Sequence, residues 1–135
     1  MKLNNFVPSQ ARKVRKAFFN ATKDQKHVAL SAPLSKELQQ THGIKRLPIR
    51  RDDEVKIVRG KYPDRTGRVT EVCLRKMRIH IDQLNVENRP NGSVPIPIHP
   101  SNVVITKLKI DNFRKALIEK KRAGREAVLA RLGKK

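Results

Sequence analysis

Aromatic and sulfur-containing residues are scarce in this chain of 135 residues. It has no tryptophan, one tyrosine, four phenylalanines and one cysteine, Cys73. So few aromatic side chains allow only a modest core and leave little for stacking on single-stranded bases. A single cysteine excludes an intrachain disulfide and is typical of a protein from a reducing compartment.

Long apolar runs are also absent. No stretch approaches the roughly 18 apolar residues that a membrane-spanning helix needs. Residues 1–8 lack the apolar segment of a secretory signal. We therefore expect no membrane association.

Residue types that carry catalysis or bind metals do not cluster. The four histidines are scattered, and no HExxH, CxxC, phosphate-loop or dinucleotide-binding pattern occurs. The one acidic cluster, Asp52-Asp53-Glu54, would need further ligands from elsewhere to form a catalytic or metal site. We predict instead that it lies in a turn and orients Arg50 and Arg51. The sequence thus predicts no enzymatic activity, no cofactor, no metal and no small-molecule substrate.

Positive charge dominates the composition. The chain has 32 Lys and Arg against 12 Asp and Glu, a formal net charge of +20. Residues 1–50 carry 11 bases and 2 acids, residues 51–106 carry 10 and 7, and residues 107–135 carry 11 and 3. Such a charge opposes compaction and calls for a polyanionic partner. A nearly balanced module between two basic arms is typical of a small domain that embeds its ends in nucleic acid.

The middle module is organised around a hairpin at residues 51–72. Short apolar runs on both sides of a loop predict two strands. Pro63-Asp64 is a turn signal, while Gly60 and Gly67 permit positive φ or the close approach of another backbone. A hairpin bend with several cations predicts phosphate binding. The cations at this bend are Arg59, Lys61, Arg65 and Arg68.

Further strand patterns follow the hairpin. The apolar phase shifts between Val69 and Val72, which predicts a β-bulge. Asn91-Gly92 is the strongest tight-turn signal in the chain, and prolines within residues 94–98 confine that segment to an edge strand or an extended segment. Four or five short strands within about 55 residues predict a mainly β fold, a small SH3-like barrel.

Helices are predicted in both arms. Ser9 is expected to cap a helix over residues 10–20, and Ser35 a short helix over residues 36–41. Residues 21–34 show no clear periodicity. In the C-terminal arm, the composition changes to Lys, Arg, Ala, Glu and Leu, which predicts a helix from Asp111 or Asn112 to about residue 131. Its apolar stripe is interrupted, so we expect it to lie on a partner or on RNA more than on its own core.

A family resemblance is carried by the hairpin and its flanks. Asp53-Glu-Val-Lys-Ile-Val-Arg-Gly, six residues and Gly67-Arg-Val resemble a KOW motif, which transcription elongation factors also carry. Three flanking blocks also resemble the family named below, in the same order and at the same spacing. With them, the resemblance is close over about residues 1–115. The blocks are Ala32-Pro-Leu-Ser-Lys-Glu-Leu, Leu47-Pro-Ile-Arg-Arg-Asp-Asp-Glu-Val and Ile98-His-Pro-Ser-Asn-Val-Val-Ile-Thr-Lys-Leu. The chain resembles the eukaryotic and archaeal form of the KOW-containing ribosomal protein of the large subunit (the universal L24 family, L26 type in eukaryotes). One departure is Asp64, near the loop tip, where KOW loops often have a third glycine.

The resemblance implies a structural constituent of the large ribosomal subunit that binds and folds rRNA near the polypeptide tunnel exit. It implies three classes of partner: large-subunit rRNA, neighbouring large-subunit ribosomal proteins and nascent-chain factors at the tunnel exit. The implied location is the cytoplasmic ribosome, with nucleolar passage during assembly in a eukaryote. One alternative is a KOW-type transcription-elongation or RNA-chaperone module, for which an acidic partner surface and linked domains are missing. Another is an enzyme acting on RNA, for which a catalytic constellation is missing.

The predicted organisation has three parts. A basic N-terminal extension covers residues 1–47, a KOW barrel residues 48–106, and a basic C-terminal helix and tail residues 107–135. Gly60 and Gly67 are the predicted KOW glycines. The predicted RNA-binding residues are cations of all three parts: Arg12, Lys13, Arg15, Lys16, Arg46, Arg50, Arg51, Arg59, Lys61, Arg65, Arg68, Arg114, Lys115, Lys121 and Arg122.

Overall fold

A computed structural model of the protein describes residues 3–87 and 92–133. It contains four helices, α1 (Ala11–Phe19), α2 (Lys23–Ala29), α3 (Lys36–His42) and α4 (Asn112–Arg131). The strands in the same residues are β1 (Ser31–Pro33), β2 (Arg46–Pro48), β3 (Glu54–Ile57), β4 (Thr66–Cys73), β5 (Arg78–Ile81), β6 (Asn85–Glu87), β7 (Ser93–Pro95) and β8 (Val103–Lys107), with a 3₁₀ turn at Pro100–Asn102.

A four-stranded antiparallel sheet forms the centre of the fold. Its strand order is β5-β4-β3-β8, and β1–β2 and β6–β7 form two further antiparallel pairs. Single bridges join Leu34 to Ile105 and Ile79 to Ile98, so both edge strands of the central sheet are linked to neighbouring segments. This arrangement confirms the predicted fold class, a mainly β, small KOW-type barrel with helical extensions.

The hydrophobic core consists of the alternate residues of these strands. Val55 and Ile57 in β3, like Ile79 and Ile81 in β5, are buried, while the residues between them are only partly buried. The pairing of β4 with β5 changes register between Val69 and Glu71, which confirms the predicted bulge. The predicted turn at Asn91-Gly92 cannot be compared, because Asn91 lies outside the described residues.

The two KOW glycines meet two different requirements. Gly60 has a φ of 115°, a conformation that side chains disfavour. Gly67 has an ordinary backbone, but a β-carbon there would lie 2.6 Å from Cγ2 of Ile81 and 3.1 Å from the carbonyl oxygen of Asp82. The second glycine therefore allows β4 to pass close to the end of β5.

The N-terminal helices differ in part from the predictions. Helix α1 begins after Gln10, which makes no side-chain cap, so the predicted cap by Ser9 is wrong. Helix α2 was not predicted. Thr22 and Gln25 form a capping box at its start, in which each side chain accepts a hydrogen bond from the other's backbone N–H.

The third helix agrees with its prediction. The Ser35 side chain accepts a hydrogen bond from the backbone N–H of Leu38, and Gly43 ends α3 in the left-handed conformation at φ 69°. The core also reaches outside the predicted barrel range, because the nearby segments of residues 30–34 and 44–47 contribute buried side chains. These are Leu30, Ala32, Leu34, Ile44 and Leu47. The three-part division by charge therefore does not coincide with the extent of the core.

Helix α4 packs into the core at its beginning only. Arg114 and Ile118 are its two buried residues, whereas residues 122–133 are mostly exposed. Further along the helix the contact with the rest of the chain is polar, since Arg125 donates to the backbone carbonyl of Gly43 at 2.7 Å. We expected this helix to lie on a partner or on RNA more than on the core of the protein. That prediction is wrong for the first two turns, which pack against the core.

A buried ion pair fixes this docking. The guanidinium of Arg114 contacts both carboxylate oxygens of Asp53, Nη1 to Oδ1 at 2.5 Å and Nη2 to Oδ2 at 2.8 Å. The backbone N–H groups of Arg50 and Lys109 each donate to the same carboxylate at 2.9 Å. Arg114 also donates to the carbonyls of Pro48 and Lys109. No buried polar atom of either side chain in the pair lacks a partner, which offsets the cost of burying two charges.

This geometry corrects two predictions. Arg114 is 1% exposed and cannot contact RNA in this fold, although its charge had placed it among the RNA-binding residues. Asp53 does not orient the side chains of Arg50 or Arg51. It binds the backbone of Arg50 and the side chain of Arg114 instead.

Replacing Arg114 by Met should destabilise the protein by about 3–5 kcal/mol, because the Asp53 carboxylate would stay buried without its counter-charge. The free energy of unfolding is measured by urea titration. The matched control is Lys115→Met on the same helix, where the side chain is exposed and the change should stay within about 0.5 kcal/mol. Similar small losses in both variants would show that the pair does not hold α4.

Candidate nucleic-acid interface

Ion pairs surround the junction between the barrel and α4. Lys109 contacts Asp52 at 2.6 Å, and Lys107 contacts Glu54 at 3.1 Å. All three acids of the cluster at residues 52–54 are therefore paired with residues of the 107–114 segment. This corrects the prediction that they orient Arg50 and Arg51. The Arg50 side chain pairs with Asp111 at 2.5 Å instead.

Two acids at this junction, the half-buried Asp52 and the exposed Asp111, are held ionised. A hydrogen bond from Lys109 lowers the pKa of Asp52, with further contributions from Lys109, Arg68 and Arg51. The backbone N–H of Arg114 lowers the pKa of Asp111, helped by Arg50. Carboxylates with lowered pKa values do not hold a proton near neutral pH, so neither group suits a general acid.

Neither a metal site nor a membrane-spanning element is found in residues 3–87 and 92–133. No three His, Cys, Asp or Glu side chains there converge in a way that could hold a metal ion. None of the helices in those residues is long and apolar enough to cross a bilayer.

Four of the five predicted cations of the N-terminal extension, all except Arg46, lie on α1, which has no buried residue. Their side chains form no ion pair with an acid in the part of the chain that is described. Arg15 lies over the ring of Phe19 at 5.2 Å, and the Phe18 and Phe19 rings meet edge to face. Both phenylalanines are about half exposed or more, rather than packed against the domain. Helix α1 therefore presents cations and aromatic rings to whatever surrounds it.

Two of the four predicted cations of the hairpin lie over a tyrosine ring, while Arg59 lines a cavity beside it and Arg68 lies in the groove of Asp52 and Glu54. Lys61 and Arg65 lie 5.8 and 5.4 Å from the ring centre of Tyr62. Asp64, the residue that departs from the KOW pattern, has a φ of 62° and pairs with Lys56 at 3.0 Å. Its carboxylate thus has its own cation, and Lys61 and Arg65 are not used to neutralise it.

Three further predicted cations, Arg46, Lys121 and Arg122, lie in β2 and α4, and Arg51 and Lys115 are exposed in the segment after β2 and in the first turn of α4. Lys121 donates to the backbone carbonyl of Arg46 at 3.4 Å, and the Arg46 side chain donates to the Ser31 carbonyl at the same distance. Arg122 is paired with Glu126, one helical turn later, at 3.0 Å.

The predicted RNA-binding residues therefore fall into two groups. Three are engaged with acids: Arg50, Arg114 and Arg122. Within the described chain, the other twelve have no acid within ion-pair distance, and we call them the unpaired cations. They are Arg12, Lys13, Arg15, Lys16, Arg46, Arg51, Arg59, Lys61, Arg65, Arg68, Lys115 and Lys121.

Some side chains at this surface were missed by the sequence analysis. Tyr62 and Arg78 both line a cavity beside the hairpin. Tyr62 could have been predicted, because it is the one tyrosine of the sequence and stands next to Lys61. Nothing in the sequence around Arg78 distinguishes it from the other arginines.

His99 accepts a hydrogen bond from the backbone N–H of Ser101 and so caps the 3₁₀ turn. The segment is thus a turn.

Comparisons with known proteins agree with this architecture. The family described as the L26 ribosomal proteins of eukaryotes and their archaeal L24-type counterparts matches residues 8–121. The large ribosomal subunit protein uL24 of Caenorhabditis elegans is 50% identical over 128 residues, covering 95% of this chain and 90% of that protein. The large ribosomal subunit protein uL24A of Saccharomyces cerevisiae is 51% identical over 115 residues, covering 85% and 91%. The uL24 of Candida albicans is 50% identical over 120 residues, covering 89% and 94%.

These matches favour neither an elongation module nor an RNA-processing enzyme. The family match extends from the N-terminal arm through the barrel into the first half of α4, and so it is not limited to the KOW hairpin. The chain belongs to the family of ribosomal proteins that comprises L26 of eukaryotes and the L24-type proteins of archaea.

Proposed function

We propose that the protein is a structural constituent of the large ribosomal subunit that binds rRNA and helps it to fold. The observation that carries this proposal is the set of twelve unpaired cations on a chain of net charge +20. The relatives' names support the subunit, because three proteins about 50% identical over most of the chain are named as large-subunit proteins.

The mechanism rests on neutralising phosphates. A cation that contacts a phosphate releases condensed counterions, which favours binding and makes it depend on salt. Folded RNA exposes its backbone while its deep major groove excludes side chains, so shape and phosphate contacts dominate over base reading. The barrel supplies a rigid platform for the hairpin cations, while α1 and the exposed part of α4 reach beyond it. One protein thus contacts several RNA segments and holds them together.

The exposed phenylalanines suit protein or RNA neighbours. All four, Phe6, Phe18, Phe19 and Phe113, are about half exposed or more, so the core is aliphatic and the aromatic rings are available to partners. We assign contacts with neighbouring large-subunit ribosomal proteins to these exposed phenylalanines.

The proposal includes a position near the polypeptide tunnel exit, where nascent-chain factors would be further partners. Its support is the KOW hairpin with its flanking blocks, the features that resemble the tunnel-exit protein. In a eukaryotic cell, assembly at that position would take the protein through the nucleolus before it reaches cytoplasmic ribosomes.

Sedimentation of a cell lysate through a sucrose gradient tests the subunit assignment. The protein should co-migrate with the large subunit in a one-to-one ratio, both before and after Mg²⁺ chelation separates the subunits. It should stay there through a moderate salt wash, because many phosphate contacts act together. Migration with RNA polymerase, or as a free small protein, would contradict the proposal.

The role of α1 is tested by the salt dependence of binding to a structured fragment of large-subunit rRNA. Replacing Arg12, Lys13 and Lys16 by Ala should make the slope of log K against log salt shallower by about 2–3, at roughly 0.7–0.9 per phosphate. The slope is measured by fluorescence anisotropy at several salt concentrations.

The matched control removes three cations that are already paired with acids. Lys107, Lys109 and Arg122, each replaced by Gln, should leave the slope nearly unchanged, although the same charge is lost. Equal changes in the two variants would mean that total charge alone determines binding and that α1 is not an anchor.

A further inference from the structure

A cavity of about 410 Å³ opens between the β3–β4 loop and the chain that follows β7. Its floor is apolar, formed in part by Ile57, Ile96 and Ile98. The volume falls within the roughly 300–1,000 Å³ typical of small-ligand sites. Cations line it as well: Arg59, Lys61 and Arg78.

The charge of this cavity differs from that of its neighbours. Among the described residues, three cations and no carboxylate line it, whereas the cavity beside Arg51 contains Glu71 and Asp111. Two further grooves, along α4 and β8, also contain acids. Within the described residues, neither Arg59 nor Lys61 pairs with an acid, and Arg78 donates only through Nη1, to the Met77 carbonyl. Apolar side chains on the floor, together with lining cations that have no acidic partner, fit a ligand that has a flat apolar body and an anionic group.

Two further groups supply hydrogen bonds for such a ligand. The Nδ1 atom of His99 accepts from the Ser101 N–H at 3.2 Å and lies 2.7 Å from the Ser101 hydroxyl oxygen, so both of its neighbours belong to Ser101 and the Nε2–H group is left to donate to a ligand. Burial and the nearby Arg78 lower the pKa of His99, which keeps the ring neutral near pH 7. Asn102 also lines the cavity, and its backbone carbonyl accepts a hydrogen bond from the backbone N–H of Val58, which fixes the residue in place and leaves its side-chain amide for a ligand. A neutral donor and an amide are groups that read the edges of nucleobases.

We propose that this cavity binds one unstacked nucleotide of RNA. The base occupies the apolar floor beside Tyr62, and the adjoining phosphate is held by Arg59 and Lys61. A single tyrosine at the cavity fits recognition of one base rather than of a longer single strand. The inference rests on the proposed rRNA-binding function and adds a site that distinguishes an extruded nucleotide from a plain duplex.

The test uses three kinds of short RNA hairpin with the folded protein. One is fully paired, one contains a single unpaired nucleotide made with each of the four bases, and one contains an abasic unit at that place. For at least one base, the bulged hairpin should bind about tenfold more tightly than the paired one, and the abasic unit should remove this gain. Affinities are measured by anisotropy at a fixed salt concentration.

Two variants locate the effect in the cavity. Tyr62→Leu keeps an apolar side chain but removes the ring, and it should abolish the preference for the bulge with little change for the paired hairpin. Arg59→Gln with Lys61→Gln should also reduce the preference. The matched control is Arg75→Gln with Lys76→Gln in the exposed β4–β5 turn, which removes the same charge and should weaken all hairpins equally. Urea midpoints close to that of the wild type confirm that the variants are folded.

The outcomes separate the two proposals. Equal affinity of the wild type for the three kinds of hairpin, or a bulge preference that survives in both cavity variants, would overturn the nucleotide site and leave rRNA binding intact. Tight binding of free nucleoside 5′-monophosphates without a bulge preference would assign the cavity to a free nucleotide and also overturn the inference. Failure to bind any hairpin or any rRNA fragment would overturn both proposals.

Discussion

The carboxylate of Asp53 is the point at which the barrel and the C-terminal helix become one structure. It is fully buried and accepts four hydrogen bonds, two from the guanidinium of Arg114 and two from backbone N–H groups. Each buried ion costs several kcal/mol to remove from water, so the pair persists only because its buried donors and acceptors are satisfied. This requirement fixes residues 107–114 on the barrel and brings Lys107 and Lys109 beside Glu54 and Asp52.

Pairing at this junction determines which charges remain for a partner. The acids near it are paired within the chain, and the lowered pKa values of Asp52 and Asp111 keep both ionised. The twelve unpaired cations therefore remain for a partner, and they lie on α1, on the hairpin, in β2 and α4, and between β2 and β3. Unpaired charges of one sign repel each other, and a polyanion relieves that repulsion. The acids at this junction thus hold the fold, and the unpaired bases are left for the RNA contacts that we propose.

Local patterns predicted most of the fold, but not the contacts that decide the site. The bulge near Val69 and the cap at Ser35 follow from short-range spacing, and the glycines of the hairpin follow from backbone sterics. Helix α2 was missed because its start depends on a Thr22–Gln25 capping box, without a clear apolar period. Arg114 looked like any other surface base, since its partner is 61 positions away in the sequence. The nucleotide-sized cavity is likewise assembled from distant segments, so no local pattern could reveal it.

The division of the cations into paired and unpaired groups is tested most directly by arginine modification with a dicarbonyl reagent. Peptide mass spectrometry gives the rate at each position, in the free protein and in its complex with rRNA. We expect Arg12, Arg15, Arg59 and Arg65 to react readily in the free protein and to be protected in the complex, while Arg114 stays unreactive in both. Modification of Arg114 at the rate of Arg12, or unchanged rates at Arg12 and Arg15 in the complex, would contradict the account.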